Sequence, residues 1–99
     1  MKYFLRFSSE AEKEIAEIFS WYSEKSADAS FQFTDKVDDI MSTLAVNPFI
    51  FPSIHKDFRI ILLDKFPYSI IYEITGNFVV ILRIYHHSRN PKKKFKDLK

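Results

Sequence analysis

The 99-residue chain contains no cysteine. That excludes a disulfide framework and a thiolate metal site, and it suits a reducing compartment. Glycine occurs once and proline four times, which argues against low complexity or disorder. With so little glycine there is no glycine-rich phosphate loop. Long hydrophobic runs are missing as well. The opening MKYFLRFSSEAEKE is too short in its apolar part for a signal h-region, and nothing later approaches the ~20 residues of a membrane span. The expected location is the cytoplasm, without membrane contact.

What the chain has in quantity is aromatic surface: eleven Phe, five Tyr and one Trp. A chain of this length supports one core, so residues 1–99 are read as a single domain, with 83–99 as a basic tip and tail. The organising stretch runs from Phe66 to Pro91. Phe66, Tyr68, Ile70, Tyr72 and Ile74 alternate with Pro67, Ser69, Ile71 and Glu73, the two-residue period of a half-buried strand. Gly76-Asn77 reads as a hairpin turn, since both residue types tolerate positive φ. On the return strand Phe78, Val80, Leu82 and Ile84 share one parity. Val79, Ile81, Arg83, Tyr85 and His87 share the other, which passes from apolar to cationic.

Before the hairpin, Lys2 to Phe7 reads as a short strand with Tyr3, Leu5 and Phe7 on one face. Ser8 or Ser9 then caps a helix, with Ser9 and Glu12 in capping-box spacing and Glu10, Glu12 and Glu14 suited to the positive end of the helix dipole. Ala11, Ile15, Ile18, Phe19 and Tyr22 form its apolar stripe. Trp21 sits beside that stripe, at the core margin or in a partner contact. After a break at Ser26 to Asp28, a second helix carries Ala29, Phe33, Val37, Ile40 and Leu44 at intervals of three and four and stops at Asn47-Pro48. The short break implies an antiparallel helical hairpin. Residues 48–57 read as an apolar loop and Phe58 to Leu63 as a strand. The expected fold is α+β: an N-terminal strand, a helical hairpin and a three-stranded antiparallel meander, making a four-stranded sheet with the helices on one face.

Charge divides the chain. Residues 1–50 carry five Lys/Arg against nine Asp/Glu, and residues 51–99 carry ten against four. Such asymmetry suits a protein that presents a cationic face to a polyanion or an acidic partner. Paired carboxylates near the tip and a serine or cysteine triad signature are absent. His86 and His87 are neighbours on a strand and point to opposite faces, so they do not chelate one metal together. No metal or cofactor is expected. The remaining set is Arg59, Arg83, Tyr85, His87 and Arg89. It suits metal-free RNA cleavage, in which a 2′-hydroxyl attacks its neighbouring phosphate. His87 or Tyr85 would move protons and the arginines would stabilise phosphate charge. The same residues suit gripping phosphate or an acidic protein surface without chemistry. Lys92, Lys93 and Lys94 read as general electrostatic attraction to nucleic acid or an acidic partner.

These pieces resemble toxins of the RelE/ParE superfamily, the toxic half of bacterial type II toxin–antitoxin modules. The resemblance covers almost the whole chain. It comprises SSEAEKEIAEIFSWY, Leu44 with Asn47-Pro48, Arg59, FPYSIIYEI and VVILRIYHHSRNP, in which His86, Arg89 and Pro91 match a His-x-x-Arg-x-Pro ending. It implies a small sheet bearing a helical hairpin, a role in plasmid stabilisation or growth arrest, and a cognate antitoxin whose acidic or amphipathic segment wraps the toxin. One branch of the superfamily cleaves mRNA on the ribosome, and the ParE branch poisons DNA gyrase without catalytic residues of that kind. The FPY and His-x-x-Arg-x-Pro pieces lean toward the ParE branch. After Arg89 the sole aromatic is Phe95, which cannot transfer a proton, so the pattern of the ribonuclease branch is incomplete.

Overall fold

The computed structural model describes residues 2–55 and 57–87. Its elements in chain order are β1 (Phe4–Phe7), α1 (Ser9–Lys25), α2 (Ala27–Val46), β2 (Ser53–His55), β3 (Phe58–Leu62), β4 (Tyr68–Thr75) and β5 (Phe78–His86). The strands form one sheet in the order β1-β5-β4-β3-β2. β1 runs parallel to β5, and the other pairings are antiparallel. The α+β architecture and the β3–β4–β5 meander agree with the sequence reading. The sheet has five strands rather than four, because Ser53 to His55, expected as loop, pairs with β3 through Ser53–Arg59 and His55–Phe58. A three-residue edge strand beside Pro52 shows no usable alternation, and an edge needs a ladder on one side only.

Local chemistry accounts for the helix ends. Ser8 rather than Ser9 is the N-cap of α1, its Oγ accepting from the Ala11 N–H at 3.0 Å. Ser8 also donates from Oγ to the Leu82 carbonyl at 2.7 Å and from its N–H to Ile81 at 2.9 Å. One serine thus ends β1, starts α1 and fastens both to β5. Ser26 serves twice in the same way. Its N–H donates to Tyr22 at the end of α1, and its Oγ accepts from the Ala29 N–H at the start of α2. That single residue makes the hairpin tight.

Both helices pack on one face of the sheet. Ala11, Ile18, Phe33, Val37, Ile40, Met41 and Leu44 meet Ile70, Tyr72, Val79, Ile81 and Ile84. Phe33 is fully buried and anchors a box of rings. Tyr22 stacks on it at 5.7 Å, while Phe66 and Tyr68 approach edge-on at 5.6 and 6.3 Å. Phe19, expected in the buried stripe of α1, is instead 39% exposed. On a helix it lies about 80° from Ala11 while Ile18 lies within about 20°, so it falls at the margin.

One register irregularity decides where the cationic end of β5 points. Ile71 pairs with Arg83, but the next residue, Tyr72, pairs with Ile81, leaving Leu82 as an extra residue. Unbroken alternation would have kept Val79, Ile81 and Arg83 on one face. The bulge changes the parity, so Val79, Ile81 and Ile84 enter the helix-side core and Arg83 and Tyr85 do not.

Candidate functional site

β5 is longer than the strand that covers its outer edge. β1 pairs with Phe78 to Ile81 and then gives way to α1. Beyond that point the edge is closed by a side chain. Glu14, on the second turn of α1, accepts the Ile84 N–H at Oε1, 2.8 Å away. Its carboxylate therefore stands where a neighbouring strand would place a carbonyl. Arg83 reaches the same carboxylate with both Nε and Nη2, the latter at 2.8 Å. The pair is largely sheltered, with side chains 16% and 15% exposed. The Arg83 guanidinium also lies 4.4 Å from the centre of the Tyr85 ring, and Tyr85 is 2% exposed.

The residues singled out in the sequence are thus distributed unevenly. Arg83 and Tyr85 come together, with the arginine turned to Glu14 and the tyrosine buried. His87 follows β5, is exposed, and has its N–H donating to the Pro67 carbonyl at 2.8 Å. Arg59 sits on β3, opposite Tyr72. Its Nη1 donates to the Phe51 carbonyl at 2.6 Å, and its guanidinium lies 5.3 Å from the Phe49 ring. Arg59 is thereby a strut for the 47–52 loop. Arg89, Lys92, Lys93 and Lys94 lie outside the described residues. Among the described residues, no group of three or more His, Asp or Glu side chains is placed to hold a metal ion, and no helix is long and apolar enough to cross a membrane.

Tyr72 is the second strut of that loop, its hydroxyl donating to the Pro48 carbonyl at 2.6 Å. Burial pushes its phenol up to about 12, against a smaller opposing pull from Arg59. Below pH 10 the phenol is protonated in both folded and unfolded chains and contributes no pH dependence. Between about pH 10 and 12 the unfolded chain loses the proton first, so stability falls as pH rises, by at most about 1.4 kcal/mol per pH unit. Tyr72→Phe is expected to cost about 1 to 2 kcal/mol at neutral pH by orphaning a buried carbonyl. It is also expected to make the loss above pH 10 shallower. Urea denaturation at pH 7, 10 and 11 checks both.

His86, expected to point to the face opposite His87, lies on the helix side of the sheet. Its ring meets Tyr68 edge-on at 5.2 Å. With Tyr68, Glu17 and Trp21 it lines a cleft of about 230 Å³ between α1 and the end of the sheet. Sequence reading missed Glu14 as a partner of β5. The helix-dipole pattern around it gave no sign that its carboxylate would serve a strand.

Residues 5–91 match the family model of the ParE toxin of the type II toxin–antitoxin system parDE. No curated protein matches significantly. Among solved structures, a chain of the chromosomal ParDE toxin–antitoxin system from P. aeruginosa superposes with a TM-score of 0.72 at 18% identity, covering 86% of this chain and 96% of that one. The isolated E. coli RelE toxin gives 0.57 at 17% identity, covering 98% and 99%. A chain of the archaeal RelE–RelB complex from Pyrococcus horikoshii gives 0.56 at 14% identity, covering 91% and 100%.

Proposed function

We propose that this chain, which belongs to the ParE toxin family of type II toxin–antitoxin systems, arrests growth by binding DNA gyrase and is held inactive by a cognate antitoxin. The observation that carries the choice of target is the Glu14–Arg83 pair. Metal-free RNA cleavage needs cations aimed at the phosphate and a proton donor or acceptor beside it. Here Arg83 is engaged by a carboxylate at 2.8 Å, Tyr85 is buried, and Arg59 is committed to the Phe51 carbonyl. His87 is an exposed side chain. Such an arrangement favours recognition of a protein over chemistry on RNA. The contact with the target is assigned to His87, which follows β5, and to the basic residues after it in the sequence, Arg89 and Lys92 to Lys94. The structures of related fold that contain an antitoxin, such as the intact E. coli RelBE complex, support a protein partner of that kind.

The test is a supercoiling assay with purified chain and gyrase, run beside primer extension on abundant transcripts after brief induction. Inhibited supercoiling with intact transcripts is the expected result. Discrete new 5′ ends that vanish when translation is blocked would replace gyrase by the ribosome as target. His87→Ala is expected to keep growth arrest within a few-fold of the parent, because a contact at the rim of an interface is worth little. A loss of ~10² or more, the scale of removing a general acid or base, would restore the ribonuclease reading.

A further inference from the structure

One end of the molecule is apolar and neutral at its centre. There the start of β1, the end of α2, the 47–52 loop and the turn before β5 lie side by side. The Tyr3 N–H donates to the Ala45 carbonyl and the Phe4 N–H to the Asn77 carbonyl, both at 2.8 Å. The Tyr3 ring meets Phe49 edge-on at 6.2 Å. On this end Phe4, Val46, Phe49 and Ile50 are 63, 66, 56 and 58% exposed. Apolar side chains scattered singly are ordinary on a surface, but four of this size together form a patch. Two of them stand on a braced loop, because the Tyr72 hydroxyl holds Pro48 and the Arg59 guanidinium holds Phe51. Phe49 and Ile50 are thus kept outward on a fixed backbone and lose little freedom when they are covered.

From Ile40 to His55 the chain has no Asp, Glu, Lys or Arg, although 28% of its residues are charged. Asp39 and Lys56 bound that stretch in the sequence. Elsewhere the chain is divided by sign. Residues 9–46, the helical layer, hold nine acidic side chains against three basic ones, and residues 51–99 hold four against ten. Two copies that met through either of those surfaces would set like charge against like. At the apolar end the charges lie on the rim. Lys2 and Arg6 are exposed, with the Arg6 guanidinium 4.4 Å from the centre of the Phe78 ring. Arg59 is held by the Phe51 carbonyl. Glu73 on β4 pairs with Val80, which pairs in turn with Arg6. The rim therefore has a small excess of cations, whose repulsion salt screens.

We propose that this end is the contact between two copies of the chain, related by a two-fold axis that sets Phe49 and Ile50 of one copy against those of the other. The four side chains expose roughly 400 Å² per copy, about half of what each partner of a standard stable interface buries. Such a dimer forms and dissociates with concentration. Its consequence is geometric. β5 runs from Phe78 at the apolar end to His86, a span of roughly 25 Å at the rise of a strand. His87 stays uncovered in both copies, and one dimer presents two target contacts. The contact between copies does not depend on which target is bound.

The test is sedimentation equilibrium of the full chain from ~10 µM to ~1 mM, where a contact of this size is expected to take the average mass from one chain toward two. Phe49→Ser with Ile50→Ser removes apolar surface without changing charge and is expected to weaken association about tenfold or more. Raising NaCl from ~0.05 to ~0.5 M is expected to strengthen association of the parent, by screening the rim. Because the chain has no cysteine, Ile50→Cys gives a second reading that keeps the loop packing intact. Its copies are expected to join on oxidation at least about fivefold faster than those of Leu62→Cys. Leu62 is a fair control, since it is 67% exposed and pairs with Ser69, which pairs with Tyr85 near the far end of β5. An average mass that stays at one chain, weakening by salt, or equal joining of the two cysteine variants would overturn the proposal. So would a folded double-serine variant that associates like the parent. A chain that stays single but sediments with vesicles of anionic phospholipid would overturn it too, and would give the apolar end a membrane as its occupant.

Discussion

Glu14→Ala is expected to destabilise the domain by about 3 to 5 kcal/mol, the range for removing one partner of a sheltered ion pair. Total stability of such domains is only ~5 to 15 kcal/mol, so the loss is a large share of it. The carboxylate does two jobs at once. It neutralises Arg83 through a bidentate contact and satisfies the Ile84 N–H on an edge that β1 no longer covers. Its removal leaves a cation with 16% of its side chain exposed and an unmatched backbone donor. Glu14→Gln is expected to fall between the two, since its amide oxygen still accepts from Ile84 while the charge is lost. The discriminating measurement is a double-mutant cycle with Arg83→Ala by urea denaturation. Once the arginine is absent there is no stranded charge, so Glu14→Ala should cost much less, with a coupling of about 1.5 to 3 kcal/mol. A single-mutant cost below about 1 kcal/mol would class the pair with ordinary surface ion pairs. Because Arg83→Ala strands Glu14 in turn, lost toxicity in that variant bears on catalysis only when its stability is measured alongside.

Phe33→Ala is expected to cost about 3 to 5 kcal/mol and to lower Tm by at least about 12 °C. Phe33 is fully buried on α2, and its ring touches partners from three other parts of the chain. Tyr22 belongs to α1, Phe66 to the turn before β4, and Tyr68 to β4 itself. Tyr22 and Phe66 also meet each other edge-on at 5.4 Å, so a truncated Phe33 leaves a void whose walls are rings held by their own contacts. Such walls relax poorly, which puts the cost in the upper part of the range for a core truncation. Phe33→Leu keeps most of the volume and is expected to cost no more than about 1.5 kcal/mol. A thermal melt of both variants decides this. An alanine variant that melts within a few degrees of the parent would mean that the helical layer collapses onto the sheet freely, and that the ring box does not specify the packing.

Much of this protein follows from local pattern. The helices are legible because Phe33, Val37, Ile40 and Leu44 recur at helical spacing, and the start of α1 because Ser8 holds a side-chain acceptor there. The start of α2 differs from the expected break at Ser26 to Asp28, because Ser26 itself caps a helix that begins at Ala27. The β4–β5 hairpin is legible from alternation on either side of Gly76-Asn77, where Gly76 does take a positive φ of 58°. The motifs from Phe66 to Pro91 made the family legible as well. In each case the determinant lies within a few residues of its effect.

What the tertiary structure alone decided depends on residues far apart in the chain. β2 is a strand because β3 offers it a ladder, and three residues beside a proline carry no period of their own. The bulge at Leu82 arises in the pairing of β5 with β4, where Ile71 meets Arg83 and Tyr72 meets Ile81, and no residue type announces it. That one-residue offset is what keeps Arg83 and Tyr85 from continuing the face of Val79 and Ile81. Glu14 and Arg83 are 69 positions apart, and in the sequence each looks like an ordinary solvated charge, one on a helix and one on a strand. The sequence shows that both charges exist. Whether they face a target or each other is settled where α1 takes over from β1 along the edge of β5, because that places a carboxylate within reach of a guanidinium and an open backbone N–H.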